Sequence, residues 1–212
     1  ASEGRSFCAG SSVVTTGQLT TEEQQVVPSG TATGRNHIYE QGTRMMQGEI
    51  PVIAAIQGAA IGGGLGLALT ADFRVAAPEA RFSANFARLG FHHGFGLTVT
   101  LPQLVGGQAA MNLLLTGRRV KADEALQLGL CDEVVDLAGL RTRAGVLANE
   151  IASSGPLSVR AIRRTMRRGL VEQFRTAVDR EQVEQEWLRK TADFREGISA
   201  AAARREPNFQ GS

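Results

Sequence analysis

The 212 residues are 42% hydrophobic and carry a formal net charge of +2, which supports one large domain with a sizeable core and speaks against a protein that works by neutralising nucleic-acid phosphates. Two cysteines, Cys8 and Cys131, are too few for a disulfide framework. Three histidines without His-x-x-x-His spacing argue against a metal site. A reduced, cytoplasmic setting is expected. The charge is uneven: residues 1–140 hold 9 basic and 12 acidic side chains, and residues 141–212 hold 14 and 9.

In chain order, residues 13–35 form a polar Thr/Ser/Gly/Gln stretch that reads as a loop with some helix. Asn36 is placed to cap a helix running to about Met46, with Ile38, Gly42, Met45 and Met46 at helical spacing. Pro51–Ile56 is a short β-branched apolar run bounded by Gly58, the pattern of a buried strand. Gly62, Gly63 and Gly64 then open a turn into a buried helix over Leu65–Ala71. The free N–H groups and the dipole at such a helix start favour negative charge, including charge that develops only in a transition state. Pro51, Gln57 and five glycines between Gly58 and Gly66 break the apolar span and Asp72 ends it, which argues against a transmembrane reading of this segment.

Phe73–Ala76 and Arg81–Ser83 read as strands, Gly106–Leu115 and Ala122–Leu128 as helices, and Cys131–Val135 as the last core strand. Beyond Asp136 the pattern is helical, with Gly155-Pro156 separating two helices. Arg160, Arg163, Arg164, Arg167 and Arg168 share one helix face and read first as a solvated stripe, with a contact to a ligand's phosphates or to nucleic acid as the competing readings; Val159, Ile162, Met166 and Leu170 are expected to pack inward from the other face. Phe174, Val178, Val183 and Trp187 are apolar positions on a charged helix, suited to an interface or to the chain's own core.

Phe7-Cys8-Ala9-Gly10, Ala54-Ala55-Ile56-Gln57-Gly58 leading into Gly62-Gly63-Gly64, Ala71-Asp72-Phe73-Arg74-Val75-Ala76, Leu104-Val105-Gly106, Leu115-Thr116-Gly117-Arg118, Glu124-Ala125, Gly129-Leu130 and Pro207-Asn208-Phe209-Gln210-Gly211 follow one another along nearly the whole chain. In this set and order the chain resembles the crotonase, or enoyl-CoA hydratase/isomerase, family. The resemblance implies an α/β fold: a crotonase-type spiral of ββα units over residues 1–137, with a C-terminal helical oligomerisation region over 138–212. Family members usually open with further strands and a helix before the Phe-Cys-Ala-Gly turn; Ala1 lies almost on that turn, so those elements have no counterpart here.

The resemblance also implies a CoA-thioester substrate, no permanently bound cofactor, and a homotrimer or dimer of trimers, with no membrane or nucleic-acid partner. By position, the backbone amides of Ser11 and Gly63 match the family's two oxyanion donors. Ser12, Val13, Gly62, Gly64, Gly66, Phe86 and Gly94 fall at substrate-contacting positions. The two glutamates of a hydratase in this family would stand at Gly66 and Phe86, and the displaced carboxylate of some isomerases at Gly94; none of the three can transfer a proton. No Asp or Glu occurs anywhere from Ala80 to Ala122.

The loop does contain His92 and His93, whose ordinary pKa suits proton transfer near neutrality, and both are candidate catalytic residues. Glu40, and less so Glu22 and Glu23, are further candidates for the base, and His37 is a weaker one. The sequence therefore points to an enzyme of acyl-CoA or enoyl-CoA chemistry, with isomerisation or hydrolysis favoured over two-glutamate hydration. The alternative is a non-catalytic acyl-CoA-binding protein.

Overall fold

A computed structural model describes residues 4–10 and 38–212. Ser11, Ser12, Val13, Glu22, Glu23, Asn36 and His37 lie outside the described residues.

Helix α1 spans Ile38–Gln47. Its buried residues are Tyr39, Gly42, Thr43 and Met46, while Ile38 is exposed. The inward face is therefore turned by about one position from the expected one. Strand β1 (Ile53–Ile56) and strand β2 (Ala59–Ile61) are separated only by Gln57-Gly58, yet they enter different sheets. A side chain at Gly58 would begin 1.9 Å from the Arg5 carbonyl oxygen, so this corner requires glycine.

Helix α2 (Gly63–Thr70) returns the chain to β3 (Phe73–Ala76), and β4 (Arg81–Ser83) again changes sheet. Each unit thus gives one strand to each of two sheets before a helix or turn closes it, which generates the spiral. β1 and β3 are parallel in register Ile53–Phe73 to Ile56–Ala76, and β6 (Glu133–Val134) joins β3 in parallel. β2 and β4 are parallel, with β5 (Val120–Lys121) antiparallel at the edge. Between the sheets, Ile56, Ala60, Leu65, Ala68, Phe82, Leu97, Leu101 and Leu130 form the main core.

After β4 come a short 3-10 helix (Asn85–Leu89), α3 (Leu97–Val105), α4 (Gly107–Thr116) and α5 (Ala122–Gln127). Helices α6 (Leu140–Ala152), α7 (Pro156–Leu188) and α8 (Ala192–Ala203) complete the chain. Pro156 sits in the first turn of α7, where its missing N–H costs nothing. Among the described residues no helix is long and apolar enough to cross a membrane.

The register of α7 corrects the arginine-stripe expectation. Arg163 and Arg167 are buried, whereas Ile162 and Met166 are 63% and 78% exposed. The cause is Asp72 at the start of β3. Its carboxylate accepts the Val52 N–H at 2.7 Å and pairs with Nε of both Arg163 and Arg167 at 2.9 Å. Arg163 also donates to the Gly48 carbonyl. Arg160, Arg164 and Arg168 remain exposed as expected. The displaced apolar side chains line an open groove of about 490 Å³ together with Leu104, Val159 and Leu170.

Farther along α7 the inward face is apolar and then polar: Phe174, Val178, Glu181 and Gln185 are all buried. Phe174 and Val178 pack on Tyr39, Met46 and Phe95, while Val183 and Trp187 are exposed.

Candidate active site

The glycine turn is held from two sides. Cys8 lies parallel to Ala60, with Cys8 N–H donating to Ala59 and the Ile61 N–H donating to Cys8. Gly64 packs against that segment so closely that a side chain would begin 2.0 Å from the Cys8 carbonyl oxygen. Gly62, at φ 57, donates its N–H to Ser83. The Gly63 N–H at the start of α2 donates to no described residue, and space is open around its Cα. Gly10, two residues beyond Cys8, rests against the Ile61 carbonyl. Gly10 thus lies directly beside the turn.

Phe86 forms the facing wall. Its ring comes within 3.6 Å of where a Gly62 side chain would begin, stacks on Phe91 at 6.1 Å between centroids, and meets the His93 ring edge-on at 5.5 Å. Phe86, Gly62, His93 and the start of α2 therefore gather at one place.

His93 is buried, and its Nδ1 has no hydrogen-bond partner among the described residues. Burial pushes its imidazole down to about 4; the neighbouring His92 lowers it further and a backbone hydrogen bond at Leu114 opposes both. His93 is therefore neutral near pH 7. His92 is half-buried, and its Nδ1 lies 2.9 Å from the His93 carbonyl.

The loop carrying the histidines is fixed by α1 and α7, which the sequence did not foretell. Gln185 Nε2 donates to the carbonyls of His92 and His93 at 3.0 and 3.1 Å, and the Tyr39 hydroxyl donates to Gln185 Oε1 at 3.1 Å. Burial pushes the Tyr39 phenol up to about 12, so it stays protonated. Glu181 accepts the N–H groups of Gly96 and Thr98 and the Thr98 hydroxyl at 2.6 to 3.1 Å, capping α3. A glutamate on an otherwise charged helix gives no local sign of that role.

Two of the positions where the resemblance leads one to expect a carboxylate, Gly66 and Gly94, have no room for a side chain. A side chain at Gly66 would begin 2.5 Å from Cβ of Phe95, and one at Gly94 would begin 2.0 Å from the Tyr39 hydroxyl. Phe95 holds a left-handed backbone at φ 62, an uncommon state for a bulky residue. Its ring packs edge-on to Tyr39 at 5.8 Å between centroids. Glu40 is half-buried and makes no hydrogen bond or ion pair with a described residue. Among the described residues no three His, Cys, Asp or Glu side chains are grouped to hold a metal ion.

The profile of the Enoyl-CoA hydratase/isomerase family matches residues 1–212. The chain is 37% identical over 162 residues to (E)-benzylidenesuccinyl-CoA hydratase of Thauera aromatica, a match covering 76% of this chain and 63% of that protein. It is 32% identical over 213 residues to 1,2-epoxyphenylacetyl-CoA isomerase of Escherichia coli, covering 98% of this chain and 78% of that one. In structure it matches an enoyl-CoA hydratase from Mycobacterium avium subsp. paratuberculosis with a TM-score of 0.83 at 25% identity, over 98% of this chain and 77% of the other. An enoyl-CoA hydratase/isomerase from Pseudoalteromonas atlantica matches with a TM-score of 0.78 at 30% identity, covering 85% of this chain and 73% of the other.

Proposed function

Because the chain belongs to the enoyl-CoA hydratase/isomerase family, we propose that it processes an acyl-CoA or enoyl-CoA thioester through an enolate, by isomerisation or a related proton transfer. The observation that carries this reading is the uncommitted Gly63 amide at the mouth of α2. The thioester oxygen accepts the N–H of Gly63 and that of Ser11, and the helix N-terminus favours the charge that grows there as the α-proton leaves. Loss of one such donor typically costs about 3 kcal/mol of transition-state stabilisation.

His93 is the proton acceptor in this reading. An imidazole held at about 4 is about as basic as an ordinary glutamate, near 4.3, and so has the basicity of the carboxylates missing from Gly66 and Phe86. It differs in sign, since proton uptake turns a neutral ring into a cation beside the enolate. Phe86 then shapes the acyl pocket, and Gly62 and Gly64 set the turn.

A non-catalytic acyl-CoA carrier, or a thioester hydrolase, is the competing reading. It is favoured by the filled spaces beside Gly66 and Gly94, which remove the usual proton-transfer positions.

The deciding experiment follows exchange of the α-protons of a saturated acyl-CoA into deuterated water by NMR, with binding measured in parallel. Wild type is expected to exchange, and His93→Ala to slow exchange by about 10²- to 10⁴-fold with binding largely kept. Binding without exchange by the wild type would remove the enolate step and leave the carrier or hydrolase. Equal exchange by the variant would remove His93 from the chemistry.

A further inference from the structure

Arg189, which closes α7, is a cation without a counter-ion among the described residues. Its guanidinium carbon lies 5.0 Å from the centre of the Phe91 ring. Burial draws its pKa down, and the Tyr39 phenol opposes this. No hydrogen bond or ion pair joins its side chain to a described residue.

The carboxylates on the neighbouring turns are committed elsewhere. Glu181 caps α3, Glu184 holds Arg180 and the Trp187 indole, and Asp193 accepts the N–H groups of Gln210 and Gly211. Glu186 is exposed. A cation–π contact compensates part of the charge but supplies no acceptor for the five guanidinium N–H donors.

The place of this cation gives it meaning. The ring it covers, Phe91, stacks on Phe86, and Phe86 in turn borders Gly62 and His93. The guanidinium is therefore linked to the glycine turn through two rings, Phe91 and Phe86, with Phe194 also packed on Phe91 at 5.0 Å between centroids. An acyl chain with its carbonyl at Gly63 and its α-carbon toward His93 would run along these rings toward Arg189. A plain hydrocarbon tail would bury the guanidinium further and leave its donors unmet, at a cost in affinity. A tail ending in a carboxylate would meet them in the two-pronged geometry that guanidinium favours.

We propose that Arg189 selects CoA thioesters whose acyl group carries a second, distal carboxylate, so that the preferred substrates are dicarboxylic acyl-CoAs. The inference rests on the acyl-CoA reading above and names the substrate class for that site.

The test compares hexanoyl-CoA, adipoyl-CoA and free CoA by calorimetric titration, on the protein as it stands and on Arg189→Leu and Arg189→Lys. The two thioesters have the same chain length and differ in the terminal carboxylate. Wild type is expected to bind adipoyl-CoA about tenfold more tightly than hexanoyl-CoA, the size of one charge-assisted contact. Arg189→Leu is expected to erase the preference by weakening adipoyl-CoA alone, and Arg189→Lys to keep part of it. Equal binding of the two thioesters by the wild type would overturn the proposal while leaving the acyl-CoA site intact. Arg189→Leu weakening all three ligands alike would overturn it in favour of a CoA phosphate contact. Failure of all three to bind would overturn the acyl-CoA reading itself.

Discussion

His93, the proposed proton acceptor, also bears on stability in acid. Its imidazole is held at about 4 when folded, against 6.5 as the ordinary value. As pH falls below 6.5 the unfolded chain takes up a proton that the folded chain refuses until near 4, so stability declines through that window and the loss is complete below it. The shift corresponds to about 3 kcal/mol at about 1.4 kcal/mol per unit. Urea unfolding at pH 7 and pH 4.5 should show a fall in stability that is smaller in His93→Leu by about 2 to 3 kcal/mol. An unchanged fall would mean that His93 is not the buried neutral group. Gly66 makes a separate point about shape. Phe95 cannot swing away from a new Cβ there, because its ring is wedged between Tyr39, Gly42 and Phe174. Glutamate at Gly66 is therefore expected to lower stability by about 1 to 3 kcal/mol in thermal melts, as overpacking does. Gly66→Glu combined with Phe86→Glu is expected to add no water to crotonyl-CoA. Recovered hydration would show that the pocket had kept the room a glutamate needs.

At the scale of elements, Asp72 decides which way α7 faces. One carboxylate at the entry to β3 fixes the preceding strand through Val52 and turns two arginines inward, leaving Ile162 and Met166 in the groove. Asp72→Asn keeps the volume but leaves two buried guanidiniums without their anion, which is expected to cost about 3 to 5 kcal/mol in urea unfolding. A loss under 1 kcal/mol would mean that the pairs contribute little beyond surface ion pairs. This contact also shows where sequence reading stops. β1, β3 and β4 were legible from their apolar runs, and α4, α5 and the α6–α7 break from glycine and proline punctuation. β2 was missed because Ala59–Ile61 sits among glycines and is ordered by Cys8 and β4 on either side. α3 was missed because its start needs Gly96 at φ 67 and a cap from Glu181, far along the chain. In the site, the glycine turn, Phe86 and the histidine pair were readable as positions. The close packing of Phe95 on Gly66 and of Tyr39 on Gly94, and the Gln185 tie on the histidine loop, were not readable, since they arise only when α1 and α7 close over that loop.

For the molecule as a whole, the same closure means that the C-terminal helices and the spiral share one interior. Phe174 is fully buried among Tyr39, Met46, Phe95 and Val178. A side chain at Gly96 would begin 2.2 Å from its ring, and one at Gly42 would lie 3.3 Å from it. Lifting α7 away would strip α1, unseat the left-handed Phe95 and Gly96 pair, and release the carbonyls of His92 and His93 from Gln185. The division between residues 1–137 and 138–212 is therefore expected to mark a change of architecture rather than a boundary between independently folding units. Calorimetry is expected to show a single unfolding transition. Phe174→Ala should lower the stability of that whole transition by about 3 to 5 kcal/mol, the usual range for emptying a buried aromatic site. It should also slow α-proton exchange, because the histidine loop loses the helix that positions it. Two separate transitions, with only one shifted by Phe174→Ala, would show that the helical region folds by itself and that the site depends on it less than this packing implies.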